Sequence, residues 1–571
     1  LEARSATQPK VAQQELRRIA SKFPHVQRYL SDWVRRSKET PSYAEELKRD
    51  WRHSRHFNII YPVGDPMFIH IYSREGERPV YSPVVPTAPP ESEELLALAE
   101  EGLGARISSE HTFETREEHE KLLHRILDEL LVLDDSLGPW EYKELRKNKR
   151  LTGLAVNEET LEALRFQLTM EKVYLGAIEP FIRDSYIEDI SCDGVGPIFV
   201  EHKIFGSCET TVRIEDEEKL DDFVRRLSER TGRPVTYRRP IVDASLPDGS
   251  RINMVFGNDV SKRGSNFTVR KFSEKPVSIT SLVSWGTLSS LQAAYLWLLL
   301  EFGMSIWFCG ETASGKTTLM RALCVFINPK KKIISIEDTP EIIVPHDNWI
   351  REVTRQSEEG ESSIELFDLL KAALRQRPEY ILVGEIRGPE AAVAFQAMQT
   401  GAPVLSTFHA GSVEKLIQRL TGEPINIPRS YIDVLNCVVF QGAVRIPRTG
   451  RVERRITSIN EIAGFDPVEN RFDYVELFSW DPSNDAHTFR GEGNSFLLEG
   501  KIRNLMGIPA REARRMYLEL EKRAQVLESL VMLGVTDYGH VWNVVKHAYD
   551  EGIDSVVSQI DAGKKVWLPK N

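Results

Sequence analysis

Apolar positions change their period along this chain, and the changes mark its parts. Over 280–420, short apolar runs recur between amphipathic stretches: 304–309 (MSIWFC), 333–336 (IISI), 380–383 (YILV) and 404–407 (VLST). Such runs predict strands buried on both faces, and their alternation with helical periodicity predicts a parallel sheet covered by helices. Ligands of such sheets sit at the C-terminal ends of the strands. The most hydrophobic stretch, 291–309, is broken by Glu301, Phe302 and Gly303. It predicts a buried helix followed by a strand, not a bilayer span.

The patterns before this region differ. Residues 1–55 read as helical and basic, with Arg17-Arg18, Arg35-Arg36 and Lys48-Arg49 among apolar positions. They form either a solvated face or a docking surface for acidic lipid or protein. Stretch 57–73 alternates like a hairpin turning at Val63-Gly64-Asp65-Pro66, 83–90 (PVVPTAPP) reads as a linker, and 91–150 reads as acidic, helical and exposed. From 160 an α+β pattern follows: a helix over 174–184, then strands at 187–190 and 198–201 around Asp193-Gly194. A helix at 216–231 ends at Gly232-Arg233-Pro234, and strands at 241–242, 251–256 and 266–272 complete the module. Residues 273–279, with Pro276, read as a hinge. Beyond 430, strand-like runs at 434–440, 456–462 and 474–478 give way to helices at 508–534 and 538–550, and no internal repeat is visible. The expected architecture is α/β in four parts: a mostly helical extension with a β-hairpin (1–160), an α+β module (161–275), a parallel-sheet core (276–430), and C-terminal strands and helices (431–571).

Composition adds limits. Hydrophobic residues at 41% and charged residues at 28% describe an ordinary core-forming protein. A net charge of −11 argues against a general nucleic-acid binder, although residues 1–60 hold 13 Lys/Arg against 7 Asp/Glu and 91–135 hold 4 against 14. Cys192, Cys208, Cys309, Cys324 and Cys437 form no C-x-x-C pair, so no zinc site is expected and a reducing cytosol fits. No signal peptide is expected, and any membrane role is expected to be peripheral.

The chemistry centres on 310–318, GETASGKTT, which fits G-x-x-x-x-G-K-[ST] between a predicted strand and a predicted helix. In such a loop Gly310, Glu311, Thr312, Ala313, Ser314, Gly315, Lys316, Thr317 and Thr318 would wrap a nucleoside triphosphate. Their backbone N–H groups would meet the phosphates together with the helix N-terminus. Lys316 would neutralise the β- and γ-phosphates, and the Thr317 hydroxyl would hold Mg²⁺. Three later predicted strands end in polar groups: Glu337-Asp338-Thr339-Pro340-Glu341, Gly384-Glu385-Ile386-Arg387 and Phe408-His409. Singly, Glu337 and Asp338 could cap a turn and His409 could be structural. Jointly they supply what hydrolysis needs: carboxylates for water and metal, and cations for developing charge. Gly384 stands where an aspartate is usual, so Mg²⁺ is expected on Thr317 and, through water, on an acid such as Glu385.

These motifs resemble the secretion ATPases of type II and type IV systems, the motors that assemble pili, archaella and secretion machines. Four family boxes match in order: Walker A at 310–318, the Asp box IEDTPE at 336–341, an atypical Walker B box ILVGEIRG at 381–388, and the His box STFHAGS at 406–412. The likeness runs from about 174 to about 481. It implies a RecA-like ATPase core behind a PAS-like α+β module, flanked by helical extensions. Glu341 would be the general base, Glu385 would support metal and water, and His409 would contact the γ-phosphate. Segments 248–251 (DGSR) and 268–272 (TVRKF) resemble family segments whose arginines reach the nucleotide, which points to Arg251 and Arg270. Arg355, Arg375 and Arg377 are further candidates for contacts between subunits.

The resemblance further implies a homo-hexamer at the cytoplasmic face of the cell membrane, using ATP and Mg²⁺. Its nucleotide would lie between module and core. Its partners would be an integral-membrane platform protein and pilin-like or archaellin machinery. The missing cysteine module and the segment 476–481 (ELFSWD) look like the archaeal branch. A DNA-translocating motor on the same core is the alternative.

Overall fold

The computed structural model describes residues 8–47, 51, 54, 56–73, 76–86, 88–89, 92–107, 115–147, 150–272, 276–355, 363–447, 450–466, 468 and 471–568. Lys48 and Arg49, residues 87 and 90 of the proline-rich stretch, and 273–275 of the expected hinge lie outside them. The chain divides into two compact units, Leu1–Phe272 and Ser273–Asn571.

Strands of the first unit are, in chain order, β1 (Ser42–Tyr43), β2 (Asn58–Pro62), β3 (Phe68–Tyr72), β4 (Val80–Val84), β5 (Leu131–Leu133), β6 (Tyr142–Lys147), β7 (Arg150–Val156), β8 (Ile187–Cys192), β9 (Gly196–His202), β10 (Gly206–Ile214), β11 (Ile241–Ser245), β12 (Arg251–Val255) and β13 (Asn266–Arg270). Ten form one sheet in the order β1-β2-β3-β4-β10-β9-β8-β13-β12-β11, and the other three form a small sheet, β5-β7-β6. The hairpin β2–β3 is present, and the N-terminal helices Gln8–Lys22 and Pro24–Ser37 pack Leu16, Ile19 and Val26 against Ile60 and Phe68. The region read as a mostly helical extension thus supplies four strands to the module's own sheet. Buried Asp184 reinforces the join, since its carboxylate accepts hydrogen bonds from the Tyr61 and Tyr81 hydroxyls, each at 2.7 Å.

Further segments differ from the sequence reading. Pro83 belongs to β4 instead of a linker; β4 meets β10 only through Val80 and Tyr81, so the missing N–H of Pro83 breaks no ladder bond there. Within the stretch 91–150, read as helical, Tyr142–Lys147 form β6, which pairs antiparallel with β7. Strand β6 (YKELRK) buries nothing, which hides its period of two; only β7, with Gly153 to Val156 buried, anchors it.

The second unit contains β14 (Ile306–Cys309), β15 (Ile333–Glu337), β16 (Trp349–Val353), β17 (Tyr380–Val383), β18 (Val404–Phe408), β19 (Cys437–Arg445), β20 (Val452–Asp466), β21 (Arg471–Asp481) and β22 (Ala486–Phe489). They form one sheet in the order β16-β15-β17-β18-β14-β19-β20-β21-β22. Strands β16 to β19 in that order are mutually parallel, and β20–β22 continue antiparallel. Alternate residues of β14 enter separate apolar clusters, Ile306 and Phe308 on one face, Trp307 and Cys309 on the other. Burial on both faces explains why these strands read as continuous apolar runs. Helix Ser290–Glu301 is buried nearly all round, as expected of the first half of 291–309. C-terminal helices Arg515–Met532, Tyr538–Glu551 and Ile553–Asp561 close one face. The hydroxyls of Tyr538 and Tyr549 donate to the Arg321 and Phe326 carbonyls, 3.2 and 2.8 Å away, and so brace the chain just beyond the glycine loop. Among the described residues no helix is long and apolar enough to cross a membrane.

Candidate active site

Parallel order decides where the polar groups fall. Because β14, β15, β17 and β18 are parallel and adjacent, the glycine loop, the Glu337–Glu341 loop, Gly384-Glu385 and His409 all leave the same sheet edge.

The loop after β14 runs into helix Lys316–Leu323. A Cβ on Gly310 would stand 2.1 Å from the Gln441 carbonyl oxygen of β19, so only glycine lets the strands stay paired there. Ala313 holds φ of 61°, a left-handed geometry that costs an ordinary residue about 1–3 kcal/mol and is typical of functional loops. Lys316 is buried, and its Nζ donates to the Gly310 and Glu311 carbonyls at 3.1 and 2.8 Å. Burial lowers the Lys316 pKa, and the nearby Glu385 charge opposes that shift.

Glu337 ends β15 only 1% exposed. Its Oε1 accepts the backbone N–H groups of Glu341 and Ile342, both at 2.8 Å, while Oε2 accepts no hydrogen bond. Burial pushes its carboxyl up to about 7. Glu341 itself is half-buried at the end of this loop. A Cβ on Gly384 would meet Glu337 Cγ at 3.3 Å, which gives a physical reason for glycine at the position where an aspartate is usual. The Glu337 side chain fills that space.

Glu385 lies 2.5 Å from Arg387 Nη2, and its Oε1 lies 2.9 Å from His409 Nε2 without hydrogen-bond geometry. Burial resists its ionisation, but the hydrogen bond and charge of Arg387, with His409 and Lys316, outweigh that and hold the pKa below the usual range. Burial, and next the Lys316 charge, lower the His409 pKa. The Arg419 guanidinium donates to the His409 carbonyl and fixes the backbone. The result is an ionised acid, a buried lysine and a mainly neutral imidazole on one edge.

A family model described as type II/IV secretion system protein matches residues 171–450. An uncharacterized protein of Methanocaldococcus jannaschii is 43% identical over 555 residues, covering 96% of this chain and 98% of its own. The chain belongs to the type II/IV secretion ATPase family. A second uncharacterized protein of that organism is 47% identical over 252 residues, 44% of this chain and 90% of its own. The type IV secretion system protein VirB11 of Bartonella quintana is 26% identical over 308 residues, covering 48% and 83%.

Other predicted residues of this secretion ATPase lie on other elements. Arg251 and Arg270 are direct cross-strand partners on β12 and β13 of the first unit, both exposed, with Arg270 also opposite Asp189 of β8. Arg355 bridges to Ile364 just past β16. Arg375 ends helix Leu366–Arg375, which leads back to the start of β17, so it and Arg377 lie toward the sheet edge away from the glycine loop. Sequence reasoning missed Gln441 and Arg454. Their side chains come within 3.0 and 3.2 Å of a Cβ built on Gly315, and Gln441 is buried with Oε1 unpaired. Neither lies in a motif, because β19 and β20 reach the loop from far along the chain.

Proposed function

We propose that this family ATPase works as a homo-hexameric ring at the cytoplasmic membrane face. There it would drive an integral-membrane platform protein that assembles pilin-like or archaellin subunits of a pilus, archaellum or secretion machine. The convergence of Lys316, Glu341, Glu385 and His409 on one sheet edge carries the reading, since a passive nucleotide binder needs only the first. In this reading Glu341 accepts the proton of the attacking water, and Glu385 orients that water. Lys316 absorbs charge growing on the γ-phosphate, and the His409 imidazole contacts that phosphate through an N–H. Arg251 and Arg270, two exposed cations held side by side, would add to that charge stabilisation.

Thr317 at the helix start and the ionised Glu385 carboxylate, with its unbonded Oε1, fit Mg²⁺ held directly by the hydroxyl and through water by the acid. When bound, the ion would neutralise phosphate charge.

Purified full chain should hydrolyse ATP with a rate per subunit that rises as hexamers form in mass photometry. Lys316→Ala should lose nucleotide binding or turnover. DNA should leave the rate unchanged; stimulation by DNA would favour a translocating motor instead.

A further inference from the structure

The loop that presents Glu341 is held in an unusual way. The Pro340–Glu341 peptide is a single planar unit, and both its polar ends are gripped by side chains. Its N–H donates to Glu337 Oε1 at 2.8 Å, and its C=O accepts from Arg351 Nη2 at 2.6 Å. Arg351 comes from β16, the neighbour of β15, and its Nε stands 4.0 Å from Glu337 Oε2, so the two gripping groups are themselves a charge pair. A planar unit fixed at its oxygen and its N–H cannot rotate about its flanking bonds. The Cα that carries the Glu341 side chain is therefore fixed as well.

We propose that Glu337 and Arg351 are positioning residues that clamp this peptide and so set where the Glu341 carboxylate meets the reacting water. The proposal rests on the reading of Glu341 as the base. A carboxylate that merely capped a turn would need the N–H bonds alone. Here the carbonyl side is held by a cation from a different strand, and the 337 side chain is packed into the space left by Gly384. The charged groups facing Glu337 are Arg351 from β16, Glu341 from its own loop and Arg321 from the helix after the glycine loop. Arg351 only partly offsets the rise that burial imposes on the Glu337 carboxyl, and the grip on the peptide rests on Oε1, which accepts both N–H groups.

Steady-state hydrolysis and binding of a fluorescent ATP analogue by the full chain test this. Glu337→Ala and Arg351→Ala should lower kcat about a hundredfold, the scale of a misplaced catalytic group, while KM and nucleotide affinity stay within about twofold. Glu337→Gln keeps an acceptor for both N–H groups and should recover most of the rate. In a Glu341→Gln background neither alanine change should lower the residual rate further. Wild-type kcat in both alanine variants would overturn the clamp, as would a loss of affinity that matches the loss of rate. If the alanine variants fail to fold by circular dichroism, Arg351→Lys decides. It keeps the charge but not the two-pronged reach, and it should lower kcat without lowering affinity. Normal hydrolysis by Glu341→Gln would instead remove the base assignment, whatever the clamp variants do.

Discussion

At the end of β17 the usual aspartate is absent, and Glu337 of the neighbouring strand occupies the room its side chain would need. A Cβ at 384 would stand 3.3 Å from Glu337 Cγ, so Gly384→Asp requires the buried Glu337 side chain to shift and sets a second acid beside it. We expect a lower denaturation midpoint for that variant in urea, together with lost turnover. The buried Glu337 carboxyl also predicts a pH signature. Its pKa rises from 4.5 unfolded to about 7 folded, so the native state holds the proton more tightly. The associated stability is complete below about pH 4.5 and is lost as pH rises through about 7, a change on the order of 3 kcal/mol. Glu337→Gln has no proton to lose, and its unfolding free energy should be flatter than wild type across that window. Parallel pH profiles for the two proteins would contradict the assignment.

Among the elements, the glycine loop depends on β19 as much as on its own glycines. Gly310→Ala would drive a methyl into the Gln441 carbonyl at 2.1 Å. It should therefore part β14 from β19 and destabilise by roughly 1–3 kcal/mol or more, with nucleotide binding lost at the same time. A variant as stable as wild type by thermal melting would show that the strands yield there. The sheet edge was legible in the sequence because β14, β15, β17 and β18 are buried on both faces and read as plain apolar runs, with chemistry in the residues just after them. Strands β6 and β10 and the edge strand β16 were not. Strand β6 buries nothing, and β10 and β16 mix exposed, half-buried and polar positions, so none shows the clean alternation of a half-buried strand. Gln441, Arg454 and the Arg351 grip were hidden for another reason, since sheet order makes them.

At the scale of the whole molecule, the first unit holds the ten-stranded sheet and the small three-stranded one, and the second holds the nine-stranded sheet. The second unit brings Lys316, Glu341, Glu385 and His409 to one edge, and the first pairs Arg251 with Arg270. The reading as a hydrolytic motor stands on the carboxylates from the later strand ends, because the glycine loop alone explains only binding. The most direct test is single-turnover hydrolysis, with nucleotide affinity measured alongside, in Glu341→Gln and Glu385→Gln. Both should bind ATP within about twofold of wild type and lose at least about a hundredfold in rate. Normal turnover in the two variants would contradict the account.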